Sequence, residues 1–419
     1  MNLVLVTVIS AVVATVALIL LLVAVLLFVK IKSVESGKVK IDINNGTKEL
    51  EVNTGSNLLN TLAEHKLFLP SACGGKGSCG QCKCQVVEGG GTILPTETGF
   101  FTRKQILNNW RLGCQVKVKN DMKIVVPDSV LSIKKWECEV ISNNNVATFI
   151  KEFCVKIPDG ETLNYRSGGY IQVDVPAMTV DYKDFDIDPQ YRADWEKMKM
   201  FDLKMVNPTP TLRAYSMATY PAEGNIIKLN VRIATPPFDR AKGGFMDVNP
   251  GICSSYIYSL KPGDKVMISG PYGEFFIPED APEDQEFIFI GGGAGMAPMR
   301  SHIMHLFKTE KTKRKVSFWY GARSLKEAFY LEDYAALEAE FPNFKFNLAL
   351  DNPLPEDNWT GYKGFIHQVL YDNYLKNHEN PEDALYLMCG PPMMVKSVEN
   401  MLDSLGVPPE SILFDNFGG

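Results

Sequence analysis

Cys73, Cys79 and Cys82 are separated by five and then two residues, in a stretch that also holds Gly74, Gly75, Gly77 and Gly80. Cys114 follows after 31 intervening residues, behind Arg111-Leu112-Gly113. Three thiolates from one irregular loop and a fourth from a returning strand suit a 2Fe-2S cluster. The glycines allow positive φ and let backbone N–H groups approach the sulfurs, which stabilises their charge and tunes the potential. A zinc ribbon pairs two Cys-x-x-Cys knuckles, and only Cys79–Cys82 makes one. A glycine-dense loop is a poor place to bury four unrelated thiols. Cys84 shares a strand face with Cys82 and reads as an inward free thiol, with a further ligand as the other reading; Cys138, Cys154 and Cys253 read as small hydrophobes.

Further along, four clusters carry nucleotide chemistry. Arg213-Ala214-Tyr215-Ser216 offers a guanidinium that grips phosphate oxygens and a flat ring with a polar tip; an ordinary strand with one exposed arginine has the same letters. Gly251-Ile252-Cys253-Ser254-Ser255 can open a helix whose N–H groups and dipole face an anion, or be a helix cap at Ser254 or Ser255. Gly291-Gly292-Gly293-Ala294-Gly295-Met296-Ala297-Pro298 follows the apolar run Phe287–Ile290, a glycine turn that sets a helix start against a pyrophosphate. Leu387-Met388-Cys389-Gly390-Pro391-Pro392 closes the last predicted strand; a turn with a buried cysteine is the plainer reading.

The elements that position these residues are legible from periodicity. Residues 38–53 predict two strands joined at Asn44-Asn45-Gly46, with Ser56 capping a short helix through His65. Residues 134–280 alternate short apolar strands and turns, as in an antiparallel β-barrel. Residues 285–419 alternate strand and helix around Phe287–Ile290, Val316–Tyr320, Phe344–Ala349 and Ala384–Met388, which predicts an α/β Rossmann-like domain with nucleotide at the strand carboxyl ends. Between Met178 and Pro210 a charged and aromatic excursion, with Asp181–Phe185 and Trp195-Glu196-Lys197, breaks the barrel pattern. It reads as a partner-docking segment or a solvated helical excursion.

At 419 residues there is room for two or three packed domains, and a formal charge of −6 without long basic runs excludes a nucleic-acid reader. From Leu3 to Val29 the chain is apolar and uncharged, long enough to cross a bilayer as a single transmembrane helix. Lys30, Lys32, Lys38 and Lys40 follow it, so the positive-inside rule puts the rest in the cytoplasm, where nine cysteines are not a disulfide framework. The segments are therefore 1–30 anchor, 36–130, 134–280 and 285–419.

Residues 36–130 resemble a 2Fe-2S ferredoxin of the Cys-x5-Cys-x2-Cys type. The resemblance implies a β-grasp domain with Cys73, Cys79, Cys82 and Cys114 as metal ligands. The four nucleotide motifs resemble, in order, those of the ferredoxin–NADP reductase superfamily, which also ends its glycine turn in proline. That likeness implies an FAD-binding barrel and an NADH-binding domain. In it Arg213 neutralises the flavin pyrophosphate, Tyr215 stacks on the isoalloxazine and Ser216 faces flavin N5. Gly251, Cys253 and Ser254 form the second flavin motif, and Gly293, Gly295 and Pro298 hold the dinucleotide. Cys389 and Gly390 stand beside the nicotinamide, with Ser216 and Cys389 as the catalytic pair. Phe417, in the tail Phe414–Gly419, is the candidate aromatic lid over the flavin, against a core-packing role.

The order of anchor, ferredoxin, flavin barrel and nicotinamide domain is similar to the F-subunit family of the sodium-translocating NADH:quinone oxidoreductases. It implies hydride transfer from NADH to FAD, then single electrons through the 2Fe-2S cluster to other membrane subunits of the same respiratory complex, and to quinone only indirectly. The location implied is the bacterial cytoplasmic (inner) membrane. Sodium transport would belong to the assembly, since one uncharged span cannot handle an ion. Two other functions compete. An oxygenase-type flavin and iron–sulfur reductase would usually lack Leu3–Val29. A membrane-tethered electron carrier with an inactive nicotinamide domain would not need intact Gly293–Pro298 and Cys389–Pro392. Arg323 and Ser324, after Tyr320, stand where a ribose phosphate could be read, and leave NADH against NADPH open.

Overall fold

The computed structural model describes residues 11–23, 25, 37–239, 241 and 243–415. Residues 11–23 are helical; apart from Val25, the rest of the Leu3–Val29 stretch lies outside the described residues, as does Phe417. Among the described residues no helix is long and apolar enough to cross a membrane. The chain divides into two compact units, residues 1–71 with 75–132 and residues 72–74 with 133–419.

The first unit is a five-stranded mixed sheet in the order Lys48–Asn53, Lys38–Ile43, Met122–Val125, Lys83–Glu88, Trp110–Leu112. Lys38–Ile43 pairs antiparallel with Lys48–Asn53 and parallel with Met122–Val125, as a β-grasp requires. The predicted hairpin closes through Asn44, Asn45 and Gly46, all with positive φ (51°, 54° and 89°), a conformation that Asn tolerates and Gly prefers. Helix Leu58–Glu64 buries Leu58, Leu59 and Leu62. Its cap is Asn57, whose side chain accepts from the Asn60 N–H at 2.8 Å, one residue beyond the serine expected from the pattern.

The second unit begins with a six-stranded antiparallel sheet ordered Thr211–Ser216, Tyr170–Val175, Lys265–Tyr272, Lys134–Ala147, Ile150–Lys156, Ile226–Arg232. Its two edges join through the Met217–Leu229 bridge and the Ala218 N–H to Lys228 C=O bond of 2.8 Å, closing the barrel. A six-stranded parallel sheet follows, ordered Tyr362–Lys363, Phe344–Leu350, Val316–Ala322, Phe287–Gly292, Leu385–Cys389, Ile412–Asp415. Its central strands are buried on both faces, which is why they read as unbroken apolar runs.

The excursion before Arg213 is barrel core. Met178–Asp181 pairs antiparallel with Lys204–Asn207, and between them lies helix Pro189–Lys197 with proline in its first turn and the Asp188 side chain as cap. Trp195 is 0 % exposed, its indole N–H donates to the Thr148 carbonyl at 2.7 Å, and its ring packs against Tyr182, Phe185, Phe201 and Tyr258. The segment is therefore not a solvated excursion, since its aromatics point inward.

Candidate functional site

In the first unit the cysteine loop turns through glycines in the left-handed region, which L side chains rarely adopt. Gly77 and Gly80 have φ of 77° and 69°; a Cβ at Gly77 would meet the Gln115 side chain at 2.6 Å, and one at Gly80 the Phe100 ring at 2.4 Å. Cys114 is set by the buried pair Arg111–Glu97. Arg111 donates to Glu97 at 2.8 Å and to the Gly90 carbonyl at 2.7 Å, and Glu97 also accepts from the Leu112 N–H at 2.9 Å. The Gly113 N–H donates to the Cys82 carbonyl at 2.8 Å, so the returning strand is tied to the loop.

Cys82 and Cys114 are buried side by side. Their mutual hydrogen bond, with burial second and the nearby Cys79 adding to it, pushes the Cys82 thiol up. The Gln115 side-chain N–H lies 3.6 Å from the Cys114 sulfur, a donor to charge on it. Cys73 lies in the turn between Ser71 and Gly75, where the Gly75 N–H donates to the Ser71 hydroxyl at 2.9 Å. Among the described residues no three His, Cys, Asp or Glu side chains converge on one ion. A binuclear cluster spreads its four ligands over two irons, and adjoining buried thiols in a glycine-cradled loop fit it. Cys84 faces inward as expected, its thiol pushed up to about 12 by burial.

In the second unit, Arg213, Tyr215 and Ser216 stand on the strand Thr211–Ser216, with Arg213 and Tyr215 on one face and Ser216 on the other. Tyr215 and Cys253 influence each other: burial and then Cys253 raise the tyrosine, and burial pushes the cysteine up to about 12. Helix Ile252–Ser259 starts at Gly251, and no described side chain caps it. A Cβ at Gly251 would lie 2.5 Å from that of Ala234. Ser254 and Ser255 do not cap the helix: both hydroxyls donate back to the Gly251 carbonyl, at 3.2 and 2.7 Å. The first-turn N–H groups are thus left without a side-chain cap, an arrangement whose donors would suit a pyrophosphate.

Gly293 takes φ of 56° at the end of Phe287–Gly292, and helix Met296–Met304 follows with Pro298 buried in its first turn. A Cβ at Gly295 would sit 2.1 Å from the Cys389 carbonyl oxygen, so glycine is what lets the helix start touch the Cys389-Gly390 turn. Cys389 is 0 % exposed and its thiol is raised by burial and then by the Asp415 charge. Asp415, on the parallel strand beside Cys389, accepts from the Ser216 hydroxyl at 2.5 Å. Burial holds its carboxyl above the usual range, with the Ser216 bond pulling the other way. The structure therefore brings Ser216, Asp415 and Cys389 together across the barrel and the sheet.

A cleft of about 940 Å³ opens beside the glycine turn, lined by Gly292 and Gly293, by Arg323, Ser324, Asp351, Phe365 and Met393, and on the barrel side by Arg232 and the excursion residues Asp194, Lys197 and Met198. Its size suits a dinucleotide. Arg232 comes within 3.9 Å of the place a Gly293 Cβ would occupy. Sequence patterns missed Arg232, Asp351 and Asp415, which sit at strand ends where only register shows what they face. Asp415, the last acid before the aromatic tail, was the nearest to a visible signal.

A ferredoxin fold joined to an antiparallel flavin-type barrel and a parallel nucleotide sheet defines an iron–sulfur flavoprotein reductase. Family models agree in chain order: the 2Fe-2S iron-sulfur cluster binding domain matches residues 41–119, the oxidoreductase FAD-binding domain 197–277 and the oxidoreductase NAD-binding domain 289–400. A cytochrome P450 reductase of Amycolatopsis has the same fold, with a TM-score of 0.60 at 19% identity over 90% of this chain and 98% of that one. The F subunit of the Na(+)-translocating NADH-quinone reductase of Pseudomonas aeruginosa is 55% identical over 96% of this chain and 97% of its own. That of Actinobacillus pleuropneumoniae is 56% identical over 98% and 99%. The chain belongs to the family of Na(+)-translocating NADH-quinone reductase F subunits.

Proposed function

We infer that this chain is the electron-input subunit of a sodium-translocating NADH:quinone oxidoreductase, taking hydride from NADH and passing single electrons toward membrane subunits. The observation that carries the reading is the meeting of Ser216, Asp415 and Cys389, which joins the flavin motif to the nicotinamide motif at 2.5 Å. When bound, FAD supplies a hydride acceptor that also gives up electrons one at a time, and the 2Fe-2S cluster supplies a one-electron relay.

The residues do the placing. Arg213, Gly251, Cys253 and Ser254, with the bare N-terminus of helix Ile252–Ser259, hold the FAD pyrophosphate and the ring-stacking Tyr215. Gly293, Gly295, Pro298 and Arg232 hold the NADH pyrophosphate, and Cys389 and Gly390 set the nicotinamide. Asp415 orients the Ser216 hydroxyl and places negative charge where the nicotinamide becomes a cation as its C4–H leaves with the bonding pair. Cys73, Cys79, Cys82 and Cys114 are the cluster ligands, and binding iron releases the thiol protons, Cys82's among them.

The working segments are 36–130, 134–280 and 285–419. Residues 1–30, the apolar run Leu3–Val29 with lysines after it, are a single-pass anchor in a bacterial cytoplasmic membrane, with the cofactor domains on the cytoplasmic side. Anaerobic titration of the detergent-purified protein with NADH, followed by flavin absorbance and low-temperature EPR, tests the reading. Bleaching with a rhombic 2Fe-2S signal supports it; no change in either leaves an electron carrier with an inert nicotinamide domain.

A further inference from the structure

Helix Met296–Met304 starts at the glycine turn, yet two of its residues reach the barrel. Arg300 donates through Nη1 to the Ala218 carbonyl at 2.9 Å and to Glu223 at 3.1 Å, through Nη2 to Glu223 at 3.0 Å, and through Nε to Asp333 at 3.2 Å. Its guanidinium carbon lies 5.1 Å from the centre of the Tyr330 ring. Ser301 donates to the Thr219 carbonyl at 2.7 Å. Both side chains are buried.

The acceptors matter more than the number of bonds. Ala218 and Thr219 directly continue the strand that ends at Ser216. The run 216–219 is thus gripped at three successive points by the nicotinamide segment: Ser216 by Asp415, Ala218 by Arg300 and Thr219 by Ser301. At its other end the same helix abuts Cys389 through Gly295. One continuous set of contacts runs from the serine expected at flavin N5 to the cysteine expected at the nicotinamide. Burying a guanidinium between two carboxylates contributes less to stability than an apolar contact would, but its planar fork fixes direction as well as distance.

Resting on the hydride-transfer reading above, we propose that Arg300 is a positioning residue that sets the register of the flavin-bearing strand against the helix that follows the glycine turn and abuts Cys389. Hydride transfer is steeply sensitive to donor–acceptor placement, so loosening this grip slows the chemical step while leaving NADH binding nearly intact.

The test uses the full-length, cofactor-loaded protein with Arg300→Met, Arg300→Lys and Ser301→Ala. Arg300→Met is expected to keep its flavin and NADH affinity, to exchange amide hydrogens faster in 216–223 and 296–304, and to bleach on the order of 10²-fold more slowly with an altered deuterium isotope effect from C4-deuterated NADH. Arg300→Lys, charged but without the fork, should fall between, and Ser301→Ala should change exchange at 219 with a smaller loss of rate. A folded Arg300→Met with wild-type exchange, rate and isotope effect overturns the proposal. If Arg300→Met does not fold, Glu223→Gln decides: slowed transfer supports the proposal and a wild-type rate overturns it. Absence of bleaching in the wild type would instead overturn the reading on which it rests.

Discussion

The cysteine loop and the hydride site are built in opposite ways. In the loop, chemistry is carried by residue type within a short stretch: thiols are the proposed ligands, and glycines such as Gly80 supply a left-handed backbone that L side chains rarely adopt. At the hydride site no residue is reactive alone, and Ser216, Gly295, Cys389 and Asp415 come from across 200 positions of sequence. Identity governs the first and placement the second. Substitutions should therefore act as all-or-none events in the loop and as graded ones at the hydride site.

The largest expected effect is in the loop. Cys82→Ala removes a buried sulfur that touches Cys114, and the 2Fe-2S EPR signal should vanish while NADH still bleaches the flavin. Cys84→Ala, equally buried and one alternation along the same strand face, should leave the signal in place. A signal surviving in Cys82→Ala, or a flavin that stays oxidised with it, would break the separation between the two sites.

Next in size is an effect on the frame behind the hydride site. Trp195→Ala should destabilise the barrel by about 3–5 kcal/mol, because it empties the centre of an aromatic cluster and leaves the Thr148 carbonyl without its donor. Thermal melting followed by flavin release would read this, with the cluster signal unaltered. A shift worth less than about 1 kcal/mol would mean the excursion is ornamental after all.

The excursion also shows where sequence stops being legible. Parallel strands such as Phe287–Gly292 and Leu385–Cys389 announce themselves because both faces are buried, and the hairpin announces itself because Asn-Asn-Gly suits positive φ. Helix Pro189–Lys197 is charged around most of its circumference and buries only Tyr191 and Trp195. Two aromatics four residues apart were the sole trace of a core face. Asp415 was hidden for another reason. In the aromatic tail Phe417 is the conspicuous residue, whereas Asp415 is defined by the strand register that sets it beside Cys389. The motifs were readable; the contacts that join one motif to another were not.

At Asp415 the graded behaviour can be tested with its sign worked out. Its pKa is raised above 3.8 in the folded chain, so the ionised form costs stability. That cost is absent below the unfolded pKa and complete once pH has risen through the folded one. Asp415→Asn, which can still accept from Ser216, should therefore melt higher than the wild type at pH 7. It should also transfer hydride more slowly, since a partly screened charge beside the developing nicotinamide cation contributes roughly 1.4–2.7 kcal/mol, about ten- to a hundredfold in rate. The wild-type rate should fall as pH drops through the raised pKa, and the variant should lack that limb. A stopped-flow pH profile beside melting curves checks both; equal rates would mean that Asp415 is only a tether.

The smallest effect concerns which nucleotide enters the cleft. Arg323 and Ser324 stand at the carboxyl end of Val316–Ala322, where an extra ribose phosphate could be gripped. Register adds an opposing group: the Asp351 N–H donates to the Ala322 carbonyl at 3.0 Å and the Asn352 N–H to the Arg323 carbonyl at 2.9 Å, so an acid stands beside the arginine on one wall. An added phosphate would meet attraction from one and repulsion from the other, at an open cleft where water screens both. Asp351→Ser should raise kcat/KM for NADPH about tenfold, a change of ~1.4 kcal/mol, and move that for NADH less. Steady-state rates with both nucleotides decide it. Unchanged NADPH use would place discrimination away from this wall; a larger loss with NADH than gain with NADPH would make Asp351 a direct ligand of the nucleotide that both forms share.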